Sequence, residues 1–249
     1  MAPFNRSAWH DTHIYGSDNR DKLLGGLWAG GGITNEALYF MTEVVCCITD
    51  TFTLHDKNDE LIERDASGLE PGTYYITTNG KVTVTQDVAH CRAGSRPTGP
   101  RCGSFRKAVR MRDKRCIATL RPVILANMNW WSGFEAAHVI PLAFQAQWDI
   151  GNFGSHITIP PPNPAHGTIN SVQNGILLTR EMHYAFDNYS WSINPDDNHK
   201  IVCFTPDLSY YGIAGRNLDQ TFLDNPSRPP DELFRWHFRQ AVLRNMKPS

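Results

Sequence analysis

Two stretches decide the reading of this chain, Phe134-Glu-Ala-Ala-His138-Val-Ile-Pro141-Leu and Ser171-Val-Gln-Asn174-Gly-Ile-Leu-Leu-Thr179-Arg-Glu-Met-His183-Tyr-Ala-Phe-Asp187. The first is strand-like and ends at Pro141, which cannot donate to a ladder. In the second, Asn174-Gly175 makes a turn and Ile176-Leu177-Leu178 a short strand. Thr179 then caps a helix whose first turn carries Glu181. The order is strand, long loop, strand, helix. On the helix, His183 and Asp187 lie four residues apart and so share a face. An imidazole nitrogen and a carboxylate oxygen at that spacing can hold one divalent cation together, or simply bond to each other.

Working outward, Phe105–Arg115 reads as a short basic helix with Phe105, Val109 and the stem of Arg112 on one side. Arg106, Lys107, Arg110, Arg112, Lys114 and Arg115 face only Asp113 there. Such density serves either to neutralise phosphates or as a solvated face complementing acidic surface elsewhere. Cys116–Leu120 and Val123–Ala126 read as short strands or strand edges. The pair Trp130-Trp131 fits core and rim packing, or base stacking by one of the two. Farther on, Ser190–Ile193 and Lys200–Phe204 read as strands with His199 in an exposed turn. A last helix opens at Arg228-Pro229-Pro230-Asp231-Glu232, and Phe234, Phe238, Ala241 and Val242 make its apolar stripe. His237 beside that stripe reads as a structural histidine.

The chain has 249 residues, 41% hydrophobic and 20% charged, with a formal net charge of −1. Overall positive charge therefore cannot drive nucleic-acid binding; any contact must be a local patch. The charge is uneven: residues 1–90 hold 6 Lys+Arg against 13 Asp+Glu, and residues 91–249 hold 18 against 12. The acidic half carries strand signals over Glu43–Leu54 and over Thr73–Thr85, the latter a hairpin turning at Asn79-Gly80. Leu23–Asn35, rich in glycine, reads as loop. The run AGSRPTGPRCGS marks a connection, giving a β-rich module over residues 1–92 and a second domain over 93–249. Six cysteines without a CxxC pair read as reduced thiols. No apolar run is long enough to span a membrane, and the amino terminus has no secretory pattern, so the expectation is a cytoplasmic or nuclear protein.

The set His138, Asn174, His183 and Asp187 resembles the HNH, or ββα-metal, endonuclease family, in particular HNH-domain proteins of fungi. Glu135-Ala-Ala-His138-Val-Ile-Pro141, Asn174-Gly-Ile-Leu-Leu178 and His183-Tyr-Ala-Phe-Asp187 carry the likeness. The nine-residue and four-residue steps after Asn174 are similar to those of colicin-type DNases. Arg110-Met-Arg-Asp-Lys-Arg-Cys-Ile117 resembles the family's lead-in, and the likeness covers roughly residues 105–205.

The resemblance implies an α+β fold with a ββα-metal nuclease core, preceded by the β-rich module and followed by a packing helix. It implies His138 as general base, Asn174 as the group orienting loop and base, and His183 and Asp187 as ligands of one divalent cation, Mg, Mn, Zn or Ni. The substrate it implies is nucleic acid, DNA first, met by the basic helix; no membrane role is expected, and a homodimer would let two copies cut both strands. The sequence departs from the family at Ala137, where many members place another ligand. Glu135 is a candidate to complete the site, although a regular strand turns it away from His138 and toward a supporting role. A ββα scaffold reused for a small-molecule reaction or for binding alone is the alternative.

Overall fold

The computed structural model describes residues 5–91 and 102–248. The chain is a mixed α+β protein whose strands and helices are interleaved along the sequence. β1 (Thr12–Gly16) and β2 (Asn19–Leu27) form an antiparallel pair, followed by α1 (Asn35–Val45). Then come β3 (Cys46–Ile48), β4 (Phe52–His55), β5 (Leu61–Ile62), β6 (Gly72–Thr78) and β7 (Val82–Val84). Five of these make a sheet in the order β2-β1-β6-β4-β5, with β1 and β6 parallel, and β3 pairs with β7 apart from it.

Several local expectations for this half change. Leu23–Leu27 is the buried end of β2 rather than loop, because Leu24 and Leu27 enter the core. Glu43–Val45 closes α1, since Leu38, Met41 and Val45 recur at helical spacing against the core. Strands β6 and β7 do form within Thr73–Thr85, but each pairs elsewhere, β6 with β1 and β4, β7 with β3. A type I′ turn needs positive φ at both central residues, and neither Asn79 nor Gly80 has it. The backbone instead packs against the preceding strand connection, Lys81 N–H donating to Thr49 Oγ1 at 2.8 Å.

The second half starts with α2 (Gly103–Asp113), which ends where Lys114 adopts a left-handed conformation. The expected strands at Cys116–Leu120 and Val123–Ala126 are absent. Leu120 has φ +60°, which breaks a ladder, and the segment folds on itself through Cys116 N–H to Arg121 O at 2.9 Å and Val123 N–H to Lys114 O at 2.9 Å. β8 (Phe134–His138) then precedes α3 (Gln145–Ile150), and β9 (Gly175–Thr179) returns antiparallel to β8. α4 (Arg180–Asp187) follows at once, its first turn capped by the Thr179 hydroxyl. β10 (Trp191–Asn194) and β11 (Lys200–Cys203) pair antiparallel, and α5 (Gln220–Leu223) and α6 (Asp231–Met246) end the chain. His199, expected to be exposed in the β10–β11 turn, is instead bonded through Nε2 to Asp231 Oδ1 at 2.9 Å.

Helix α6 enters two apolar cores. Leu233 and Phe234 belong to the core that α2, β8, β9 and α4 also enter, while Phe238, Ala241 and Val242 belong to the core shared by α1 and the large sheet. His237 lies between them, its ring stacked 3.6 Å from that of Phe186 and bonded to Ser192 Oγ at 2.8 Å. The boundary expected in AGSRPTGPRCGS falls largely on residues 92–101, outside the described residues. Among the described residues, no helix is long and apolar enough to cross a membrane.

Candidate active site

The β8–β9 hairpin runs Phe134↔Thr179 to His138↔Gly175. Successive strand side chains point to opposite faces, so Glu135 and Ala137 share one face and His138 takes the other. Each face meets a different helix. The His138 ring lies 3.9 Å from the ring of Phe105 on α2, nearly parallel at 6°. Glu135 meets α4, its Oε2 2.8 Å from His183 Nδ1.

Gly175 makes the α2 side possible. A Cβ there would collide with Val109 and lie 2.6 Å from Phe105 Cε2, so the platform under His138 needs a residue without a side chain opposite it. Asn174, wholly buried, staples the chain just past His138. Its carbonyl accepts from Val139 N–H, its Oδ1 accepts from Ile140 N–H, and its Nδ2 donates to Ile140 O and Ile169 O, all at 2.9 Å. Every one of these bonds is buried, so the side chain satisfies polar groups that water does not reach.

On the α4 side three residues form a row. His183 Nε2 stands 3.4 Å from Asp187 Oδ2, and Nδ1 faces Glu135. The Arg180 guanidinium lies 3.5 Å from the other Glu135 oxygen. An ionised carboxylate only accepts, so with a cation between Nε2 and Asp187 the proton of a neutral ring would sit on Nδ1, where Glu135 would accept it. Two ligands, each about 2.1 Å from a tetrahedral cation, stand roughly 3.4 Å apart, the spacing found between Nε2 and Oδ2. The donors therefore fit a divalent cation held by His183 and Asp187, with Glu135 steadying the imidazole from behind as a carboxylate does for metal-bound histidines. Among the described residues, no group of three or more His, Cys, Asp or Glu side chains gathers as a metal cluster.

The basic helix divides in two. Arg106, Lys107 and Lys114 are exposed, and the Arg110 guanidinium sits 5.2 Å above the Trp131 ring. Burial lowers the pKa of Arg110, as does Arg106 beside it. Arg115 pairs with Asp219 at 2.6 Å. Arg112, expected among the phosphate contacts, is turned inward. Its guanidinium binds both Asp113 oxygens at 2.6 and 2.8 Å and donates to the carbonyls of Val172, Gly175 and Ser227. Asp113 Oδ2 in turn accepts from Leu177 N–H at 2.8 Å. The pair clamps β9 to α2, and its guanidinium is committed to the fold.

Sequence reasoning left two parts of this site unread, the Phe105 platform and the Arg112–Asp113 clamp; it singled out Glu135 as a candidate to complete or support the site without naming His183 as its contact.

Residues 9–83 match a domain of unknown function (DUF8573). No curated protein and no solved structure was found to match the chain. Residues 113–194, which contain the β8–β9 hairpin, α4, His138, Asn174, His183 and Asp187, match the HNH endonuclease family, and that match points to a nuclease, a hydrolase acting on nucleic acid.

Proposed function

We propose that residues 93–249 act as a metal-dependent endonuclease that hydrolyses phosphodiester bonds in DNA, with residues 1–92 as an accessory module joined to it through α6. The observation that carries this reading is the row Glu135, His183 and Asp187 on the ββα element matched to the HNH endonuclease family. His183 and Asp187 would hold the cation, Mg, Mn, Zn or Ni by the chemistry of a mixed nitrogen and oxygen donor set. When bound, that ion would act as a Lewis acid, offsetting the negative charge that develops during phosphodiester hydrolysis.

The remaining roles belong to the chain. His138 takes the proton of the attacking water, a task for which an imidazole is suited near neutral pH. It is the last residue of β8, three residues and about 10 Å along the strand from Glu135 and on the opposite face, so in this reading the scissile phosphate lies past the end of β8, where His138 and the cation approach it from two sides. Phe105 fixes the plane of its ring, and Asn174 holds the backbone that follows it. Glu135 keeps the His183 proton on Nδ1. Arg106, Lys107, Arg110 and Lys114 face the phosphates of the strand, with Arg115 beside them.

The test is cleavage of supercoiled plasmid by the full chain with Mg²⁺ or Mn²⁺. Nicked circles are expected from the wild type, none from His138→Ala although it still binds metal, and weakened metal binding and cutting from His183→Ala. Survival of plasmid, single strands and RNA alike across Mg²⁺, Mn²⁺, Zn²⁺ and Ni²⁺ would remove the hydrolytic reading.

A further inference from the structure

The segment between α2 and β8 puts apolar side chains where water would be expected to exclude them. Ile124 is 86% exposed, Met128 78% and Trp130 60%. This is no frayed tip: Met128 N–H and Trp130 N–H both donate to Leu125 O, at 3.0 and 3.1 Å, and Asn129 takes the left-handed conformation at φ +56°. The two tryptophans have separate fates. Trp131 is buried, its indole N–H donating to Asn129 Oδ1 at 2.8 Å beneath the Arg110 guanidinium, and so it anchors a rigid loop that presents Trp130 outward.

Two further observations say what this surface meets. Between Cys102 and Phe134 Asp113 is the sole acid, and Arg112 neutralises it in the interior, whereas Arg106, Lys107, Lys114 and Arg121 are exposed. The loop also leads directly into the row described above. Gly133 O accepts from the backbone N–H of Arg180, the first residue of α4, at 3.1 Å, and Glu135 follows two residues later. A basic surface bearing an exposed indole beside a phosphodiester site fits a polyanion whose bases can be stacked upon.

We infer that Trp130, flanked by Met128 and Ile124, stacks on an unpaired nucleobase next to the scissile phosphate, so that the protein prefers single-stranded or locally melted nucleic acid over intact duplex. Bases inside a duplex already stack on their neighbours and offer no free face, which is the source of the preference. The inference rests on the nuclease reading for its location, and its test does not depend on cleavage.

The test is fluorescence anisotropy of the full chain with a labelled single-stranded oligonucleotide, with its duplex, and with vesicles of anionic phospholipid. Trp130→Ala is expected to weaken single-strand binding about tenfold, to leave the duplex within about twofold, and to lose the indole quenching that accompanies binding; Trp130→Phe should keep most of the affinity. Because Trp130 lies on the surface, circular dichroism should show both variants folded. Equal affinity of wild type and Trp130→Ala for the single strand overturns the inference. So does loss of vesicle binding with oligonucleotide affinity intact, which would make the loop a lipid contact. A Trp130-dependent single-strand preference in a protein that cuts nothing supports the stacking surface while the hydrolytic reading falls.

Discussion

His138 and Gly175 face each other across the β8–β9 ladder, and the space above Gly175 is filled by the Phe105 ring on which His138 lies. Gly175→Ala should therefore act at a distance through Phe105. Overpacking of this kind costs about 1 to 3 kcal/mol, and the His138 ring would lose its platform. A urea melt should show the loss, and plasmid nicking should fall further than the melt alone explains. An alanine variant with wild-type stability and activity would show that the platform yields freely.

The contact between Glu135 and His183 predicts a metal phenotype without a folding phenotype. Removing a carboxylate behind a metal-bound histidine weakens metal affinity by about 10- to 100-fold. Glu135→Gln preserves the shape of the side chain and should give that loss in a Mn²⁺ titration by calorimetry, while the melting curve stays put. Unchanged Mn²⁺ affinity would mean that Glu135 serves only Arg180 and the surface.

Arg112 and Arg106 sit on one helix yet should behave oppositely. Breaking a buried, hydrogen-bonded ion pair from one side costs about 3 to 5 kcal/mol, so Arg112→Ala should destabilise the protein severely and free β9 from α2. Arg106→Gln should leave the melt within about 0.5 kcal/mol and weaken DNA binding with a shallower salt dependence. The clamp would be refuted by an Arg112→Ala protein as stable as its parent.

Acid should loosen the seam at α6. Burial pushes the His237 imidazole down to about 3, against about 6.5 for an exposed histidine. Below about pH 6.5 the unfolded chain takes up a proton that the native chain does not. Stability from the neutral ring is thus complete above that pH and drains at about 1.4 kcal/mol per unit as the pH falls toward 3. Measured by denaturant melts across this range, His237→Gln should show a flatter slope than wild type. Parallel slopes would assign the acid sensitivity to other groups.

Period and spacing alone determined much of this protein. The His183–Asp187 pairing, the Thr179 cap, the β8 and β9 strands and the stripe of α6 are all consequences of residues within a few positions of one another, where helix and strand repeats dictate who shares a face. The uneven charge of the two halves was equally legible. Tertiary structure alone decided the rest, because those outcomes join residues far apart in the chain. Asn79-Gly80 has the chemistry of a hairpin turn, but partners more than twenty residues upstream, β3 at Cys46–Ile48 and β4 at Phe52–His55, drew β6 and β7 into separate sheets. Arg112 looked like its exposed neighbours until carbonyls of Val172, Gly175 and Ser227, sixty to more than one hundred positions away, claimed its guanidinium. A local pattern fixes which way a side chain faces; only the packed molecule supplies the groups it finds there.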